Sequence, residues 1–260
     1  MGLILDLLMI ILIVAVVIIF YPKIVSLTQI IPGVLSSNGR VYFPQTSRGN
    51  QNISHDPVIN YTLALINKDR NAYGLANVSL SPISSGQQHA DSMLEFNYFS
   101  HWDVYGLKPY MRYTLYGGKG AVEENVAYTK SGVQACIGAL CSSAGNLNVS
   151  SAINKMEYNM MYNDSQCCNN GHRYNILDPK HNQVSVGLAY NGSTIYLVED
   201  FIDNHVVWLN DTPGYANGRV YLEGSVDPNY SISSVEISYD SPVTIMNPQQ
   251  LDHTSEYAYG

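Results

Sequence analysis

The run from Leu3 to Phe20 constrains this chain more than any other stretch. Its eighteen residues are apolar apart from Asp6. At about 1.5 Å per residue such a run is long enough to cross a bilayer core. A buried helix of a soluble domain would show a polar face, and this run has none. A cleaved signal peptide would carry a basic segment before the run and a small-residue cleavage site after it, and neither is present. The expectation is a single-pass membrane anchor over residues 1–21. The rest of the 260 residues gives one medium domain with an ample core and a small appendage.

The sidedness of the body rests on two signals. Lys23 after the span would by itself favour a cytoplasmic body. Against it stand eight Asn-x-Ser/Thr sequons, at Asn52, Asn60, Asn77, Asn148, Asn163, Asn191, Asn210 and Asn229, and four cysteines gathered between Cys136 and Cys168. The body is therefore expected on the extracytoplasmic side of the cell membrane. The net charge is −8, and no basic stripe exists to neutralise phosphates, so nucleic acid is excluded as a partner. Only 13% of residues are charged while 21 are tyrosine, so the surface is polar through hydroxyls and amides. Such a surface suits a harsh, even acidic, exterior.

Along the chain, residues 22–55 read as an extended linker, with Pro32-Gly33, Ser36-Ser37-Asn38-Gly39 and Pro44, and with a short strand at 41–43. Asp56 caps a helix that begins at Pro57, with Ile59, Leu63 and Ile66 on one face. A second helix after Ser81-Pro82 puts Ala90, Met93, Leu94 and Asn97 on one side, with His89 as a surface residue. A helical turn through Met111 and Leu115 follows, then a strand over 123–128. Residues 129–150 read as an exposed inserted loop, 152–162 as a helix and 167–171 as irregular. Strands over 184–190 and 194–201 are joined by the turn Asn191-Gly192. Residues 204–260 form a β-rich appendage, with strand-like runs at 206–208, 219–223, 234–239 and 243–246. His55, His181, His205 and His253 have no partner pattern and read as surface residues.

The chemistry concentrates elsewhere. Ser100-His101-Trp102 and Gly171-His172-Arg173-Tyr174-Asn175-Ile176-Leu177 each carry a histidine in a distinctive pattern, with Glu123-Glu124-Asn125 between them. A fold that gathers these into one cleft would unite imidazoles and carboxylates. Neutral imidazole suits zinc and related ions, and carboxylates complete a four-ligand shell. The alternative is a hydrogen-bonded cluster that only braces the fold. Arg173 and Asn175 read as braces of their loop.

Together with Asn67 and Arg70 in the first helix, Ala90-Asp91-Ser92-Met93 in the second, and the closing strands at Val186-Gly187 and 196–201, these patterns resemble the CAP superfamily. This is the cysteine-rich secretory protein, antigen 5 and pathogenesis-related 1 group, here in its microbial branch. Glu123 stands where the family's Gly-Glu-Asn motif has glycine. The resemblance implies an α+β fold, an α-β-α sandwich over residues 56–203. It implies a cleft with His101, His172, Glu124 and Asp164, and Glu157 as the fallback for the last. A glycan on Asn163 would crowd that cleft. Zinc or another divalent metal is the implied cofactor. Two disulfides are expected to join Cys136 and Cys141 to Cys167 and Cys168, since a bridge between adjacent cysteines strains the peptide; a Cys136–Cys141 bridge stays open as the alternative.

The function expected is a membrane-anchored, non-enzymatic module binding a lipid, an ion or a cell-surface protein. The second reading is a metal-dependent, protease-like hydrolase with Glu124 as base. A structural surface component is the third. No His-Glu-x-x-His helix and no Gly-x-Ser-x-Gly elbow supports catalysis.

Overall fold

The computed structural model describes residues 56–130, 148–254 and 257, and the backbone of 134–137 and 140–143. The Leu3–Phe20 run, the linker and the expected strand at 41–43 lie outside the described residues. Among the described residues no helix is long and apolar enough to cross a membrane.

The Asp56 side chain accepts a hydrogen bond from Val58 N at 2.8 Å, and Pro57 occupies the first turn of α1 (Pro57–Ala72). Its buried face is Ile59, Thr62, Ile66, Asp69 and Arg70, the spacing of one helical stripe. β1 (Ser79–Leu80) follows, then α2 (Ser85–Phe96), ended by Asn97 in the left-handed conformation. After α3 (Pro109–Leu115) comes the long β2 (Ala121–Lys130). β3 (Gln134–Ile137) and β4 (Leu140–Ser143) form a hairpin where an inserted loop was expected. Its strands extend the sheet, which the Gly and Ser content had concealed. α4 (Val149–Tyr162), α5 (Ser165–Cys168) and α6 (Gly171–Leu177) follow. Of the stretch 167–171 expected to be irregular, 167–168 end α5 and 171 begins α6, with a turn at 169–170 between them. β5 (Gln183–Tyr190) and β6 (Thr194–Asp203) close the body.

The sheet runs β1-β5-β6-β2-β3-β4, antiparallel except for β1 against β5. One face packs on α1, α4 and α6 through Ile66, Ile153, Met156, Met160, Leu197 and Phe201. The other packs on α2 through Ala90, Met93, Val126 and Val198. This is the layered α+β arrangement the sequence led us to expect. Each fully buried aliphatic or methionine side chain contributes roughly 1.5–3 kcal/mol. Four on α4 therefore outweigh the cost of the carboxyl of Glu157 on the same buried face. α2 lies so close on β5 that a side chain on Gly187 would collide with the Gly86 backbone.

Beyond β6 lie four short strands, β7 (Val206–Trp208), β8 (Gly214–Ala216), β9 (Arg219–Tyr221) and β10 (Gly224–Val226), in two two-stranded ribbons. Residues 234–239 and 243–246 are not strands: no helix or strand occurs between 227 and 247. That stretch is tied down by side chains instead. Asp240 takes Lys108 at 2.6 Å and the Tyr110 hydroxyl at 2.7 Å. Met246 N donates to Val104 O at 3.0 Å, and Leu251 of α7 (Pro248–Leu251) is wholly buried beside α2.

Arg70 locks the turn between α6 and β5. Its guanidinium donates to the carbonyls of Ile176 (2.8 Å), Asp178 (2.9 Å) and His181 (3.1 Å), and its Nε to Ala76 O (2.9 Å). Arg70→Ala removes the donor from four carbonyls at once. We expect a loss of about 3 kcal/mol or more in a urea unfolding midpoint analysis. A loss under about 1 kcal/mol would show that the turn holds itself.

Candidate functional site

Successive residues of β2 point to opposite faces, so Glu124 and Asn125 serve different layers. Glu124 stands opposite Asp200 of β6, and Asn125 opposite Glu199. Each face thus carries a buried polar layer at the same rung of the sheet.

On the α2 side Glu124 is the hub. Its Oε1 accepts from His101 Nδ1 at 2.9 Å, and its Oε2 from Arg112 Nη2 at 2.6 Å, with His89 Nδ1 at 2.7 Å. Arg112 also donates to the carbonyls of His101 (2.8 Å) and Leu107 (2.7 Å), fixing the loop that carries His101. Burial opposes ionisation of Glu124, but His89 and Arg112 outweigh it and hold the carboxyl well below the usual range. Burial and Arg112 push the titration of His89 itself down, with Glu124 opposing. Arg112 is the fixed cation of the cluster, its own titration raised by Glu124 against its burial. Asp200, opposite, is pushed well above the usual range by burial and by Glu124, and it takes a hydrogen bond from Ser85. Of this carboxyl pair Glu124 ionises first, and Asp200 keeps its proton to higher pH.

On the other side His172 Nδ1 meets Asp164 Oδ1 at 2.6 Å, and Arg173 N donates to Asp164 Oδ2 at 3.2 Å. Asn125 donates to His172 O at 3.2 Å and accepts from Asn175 at 2.9 Å. Arg173 reaches Met161 O and the Tyr73 hydroxyl, so both residues brace the loop as expected. Glu157 and Glu199 lie together in the core. Burial and Glu199 push Glu157 well above the glutamate range, and burial raises Glu199 as well. Two carboxylates have no hydrogen to share, so the Glu157 oxygens gain a bond only when one of the pair is protonated.

The expected site residues therefore stand as two couples, His101–Glu124 and His172–Asp164. A carboxylate oxygen only accepts, so each imidazole carries its hydrogen on Nδ1 and leaves a lone pair on Nε2. β3 pairs with β2 at Tyr128↔Cys136, and beside Glu124 the edge of β2 meets Tyr257. Tyr257 caps it: its hydroxyl accepts from Glu124 N at 2.9 Å, and its ring lies 5.2 Å from that of His101. Among the described residues, no group of three or more close metal-ligating side chains combines the two couples. Both Glu124 oxygens are already engaged, so Glu124 fits the role of orienting His101 better than that of a ligand.

Three expectations change. His89 is fully buried on Glu124, not at the surface; it falls one helical turn before Met93, on the same buried stripe. His181 is buried too, against Asp203. Cys167 is joined to Cys168, and Cys136 is the register partner of Cys141, in place of cross-pairing between the two pairs. The hairpin sets the second pair opposite each other, the alternative that the sequence left open. Arg112 left no periodic signal that sequence reasoning could use.

The model of the cysteine-rich secretory protein family, CAP, matches residues 63–209, more than half of the chain. The chain belongs to the CAP family. Two solved structures are similar to it. One is an extracellular protein containing a SCP domain from Bacillus anthracis str. Ames, 19% identical, TM-score 0.38, with 56% of this chain and 40% of that chain covered. The other is the CAP domain of Enterococcal PrgA, 18% identical, TM-score 0.36, with 62% and 65% covered. This chain spans less than two thirds of either. A comparison with curated proteins returned no match.

The carboxyl layers make the CAP domain sensitive to pH. A folded-state value raised above the ordinary 4.5 means that the folded protein binds more protons than the unfolded chain above that pH, so stability falls as pH rises. Glu157→Gln should flatten this fall. Comparing thermal midpoints of wild type and variant from pH 5 to 8 cancels the histidines common to both. A widening advantage of the variant toward pH 8 is expected; parallel curves would mean Glu157 is ionised in the fold.

Proposed function

We propose that this protein is a membrane-anchored CAP-domain protein whose body is extracytoplasmic and which binds rather than cleaves. The observation that carries the reading is the state of Glu124. A general base must take a proton near working pH. Glu124 is buried, accepts from Arg112 and His101, has His89 Nδ1 at 2.7 Å, and titrates well below the usual range. It is a holder of His101, not a proton acceptor.

What the domain offers a partner is the pair of Nε2 lone pairs on His101 and His172. Zinc or another divalent ion enters this proposal through those nitrogens, with Glu124 and Asp164 behind them setting the rings. An apolar ligand has a second place to go. A cavity of about 390 Å³ lies between Trp102, Met111, Val243 and Met246, and Lys108 and Asp240 also line it. A lipid with a polar head suits that lining. The seven described sequon asparagines are all exposed, in keeping with a glycosylated exterior body. The Leu3–Phe20 run supports the anchor, and protease added to intact cells should degrade the body. Protection until the cells are broken would reverse the orientation.

The choice between binding and hydrolysis has its own experiment. The purified full-length protein is incubated with generic peptide and ester substrates, with and without chelator. No turnover above that of the His101→Ala/His172→Ala variant is expected. Turnover that chelator abolishes and Glu124→Gln lowers by a factor of about 100 or more would make the protein a hydrolase.

A further inference from the structure

Glu123, Asp178 and His181 come together where β2 begins and the turn after α6 enters β5. Their candidate ligand atoms all lie within 4.8 Å of one another. None of them takes part in the couples described above. The His181 ring is held on two sides: Nδ1 meets Asp203 Oδ1 at 2.6 Å, and the Phe201 ring stacks on it at 5.4 Å. Only 2% of its side chain is exposed. Asp203 accepts the Nδ1 hydrogen, so in the neutral ring Nε2 presents a lone pair, and this buried atom has no hydrogen-bond partner; Asp203 and Glu123 raise the ring's titration against its burial, so a proton competes with a metal there.

The nearest charged atom to note is Glu123 Oε2, 3.6 Å from His181 Nε2. That separation is too long for a hydrogen bond. It is close to the edge of a tetrahedron: two ligands about 2.1 Å from one zinc ion stand about 3.4 Å apart. Two acceptor atoms so placed repel unless a cation or a proton lies between them. Around them, Glu123, Asp178 and Asp203 carry negative charge and Lys180 is the cation. Lys180 Nζ reaches Asp178 Oδ2 at 3.2 Å on a side chain that is 60% exposed, and Lys180 N donates to Asp178 Oδ1 at 2.8 Å. The Asp178 oxygen retains a second acceptor site in any case.

The frame is rigid as well as charged. Arg70 holds the carbonyls of Asp178 and His181, so the turn carrying two of the three groups is set by the core. Glu123, the third, is the residue by which this chain departs from the Gly-Glu-Asn pattern. We propose that His181, Glu123 and Asp178 bind a divalent transition-metal ion of the zinc type, with Asp203 orienting His181. Three protein ligands leave a fourth position for water or an anionic group of a partner. A nitrogen donor among oxygens favours zinc, nickel or cobalt over calcium and magnesium.

The test uses the full-length protein in detergent, carrying His101→Ala/His172→Ala so that those imidazoles cannot contribute. Cobalt(II) is the probe, read by visible absorption, with zinc as competitor. One cobalt per chain, displaced by zinc, is expected. Adding Glu123→Gln or Asp178→Asn should weaken cobalt binding at least 10-fold, and zinc should raise the thermal midpoint of the parent but not of these variants. Glu123 is 40% exposed, so its substitution leaves the fold intact, and an unchanged metal-free thermal midpoint confirms that. Absence of cobalt binding in the parent would overturn the proposal. So would cobalt affinity unchanged by Glu123→Gln in a protein with the parent's midpoint.

Discussion

Glu124 is the charge around which this domain is arranged. A carboxylate taken fully out of water costs several kcal/mol unless partners replace its hydration. Here the partners come from three separate segments: His89 from α2, Arg112 from α3 and His101 from the loop between them. Each donor therefore ties its own segment to β2. Arg112 does so twice, since it also grips the His101 and Leu107 carbonyls. Replacing any one partner leaves the buried charge short of a donor, which makes the cluster a specifier of geometry as much as a source of stability.

The same rung of the sheet repeats the device on its other face with a different outcome. Asn125 is neutral, holding the His172 carbonyl and Glu199, and burial raises the titration of both Glu157 and Glu199, with His172 and Asn125 opposing it at Glu199. Their charge is suppressed instead of balanced. A protein built this way gains from acid conditions through Glu157 and Glu199, while Glu124 keeps its charge well below the usual carboxylate range. That fits a surface polar through tyrosine, serine and asparagine more than through ions. The chain after β6 completes the design by folding back. Asp240 on Lys108, Leu251 beside α2 and Tyr257 on the edge of β2 make the C-terminal stretch part of the site's wall.

Much of this was legible in the sequence, for identifiable reasons. α1 announced itself through Asp56-Pro57 and a clean helical stripe, and β5–β6 through Asn191-Gly192 between alternating apolar runs. His101, Glu124 and His172 stood out because their local patterns are specific. Asp164 was found only through the register at the end of α4. His89 was misplaced because a polar residue on a buried stripe reads as surface until its partner, Arg112, is known. His181 failed similarly: Asp203 and Glu123 are far from it in sequence and meet it only through strand pairing. The β3–β4 hairpin was hidden by small residues, and the apolar runs at 234–239 and 243–246 imitate strands but stand as irregular chain with most of their large apolar side chains exposed.

The central claim is that Glu124 and Asp164 hold the two imidazoles by Nδ1 and present Nε2 as acceptor. Long-range proton–nitrogen correlation spectra of the histidine rings at pH 8 test it most directly. The account predicts that His101 and His172, identified by single substitution, both give the pattern of a hydrogen on Nδ1 and a bare Nε2. A hydrogen on Nε2 of either ring would contradict it, because neither carboxylate would then be setting the face that the domain offers to a ligand.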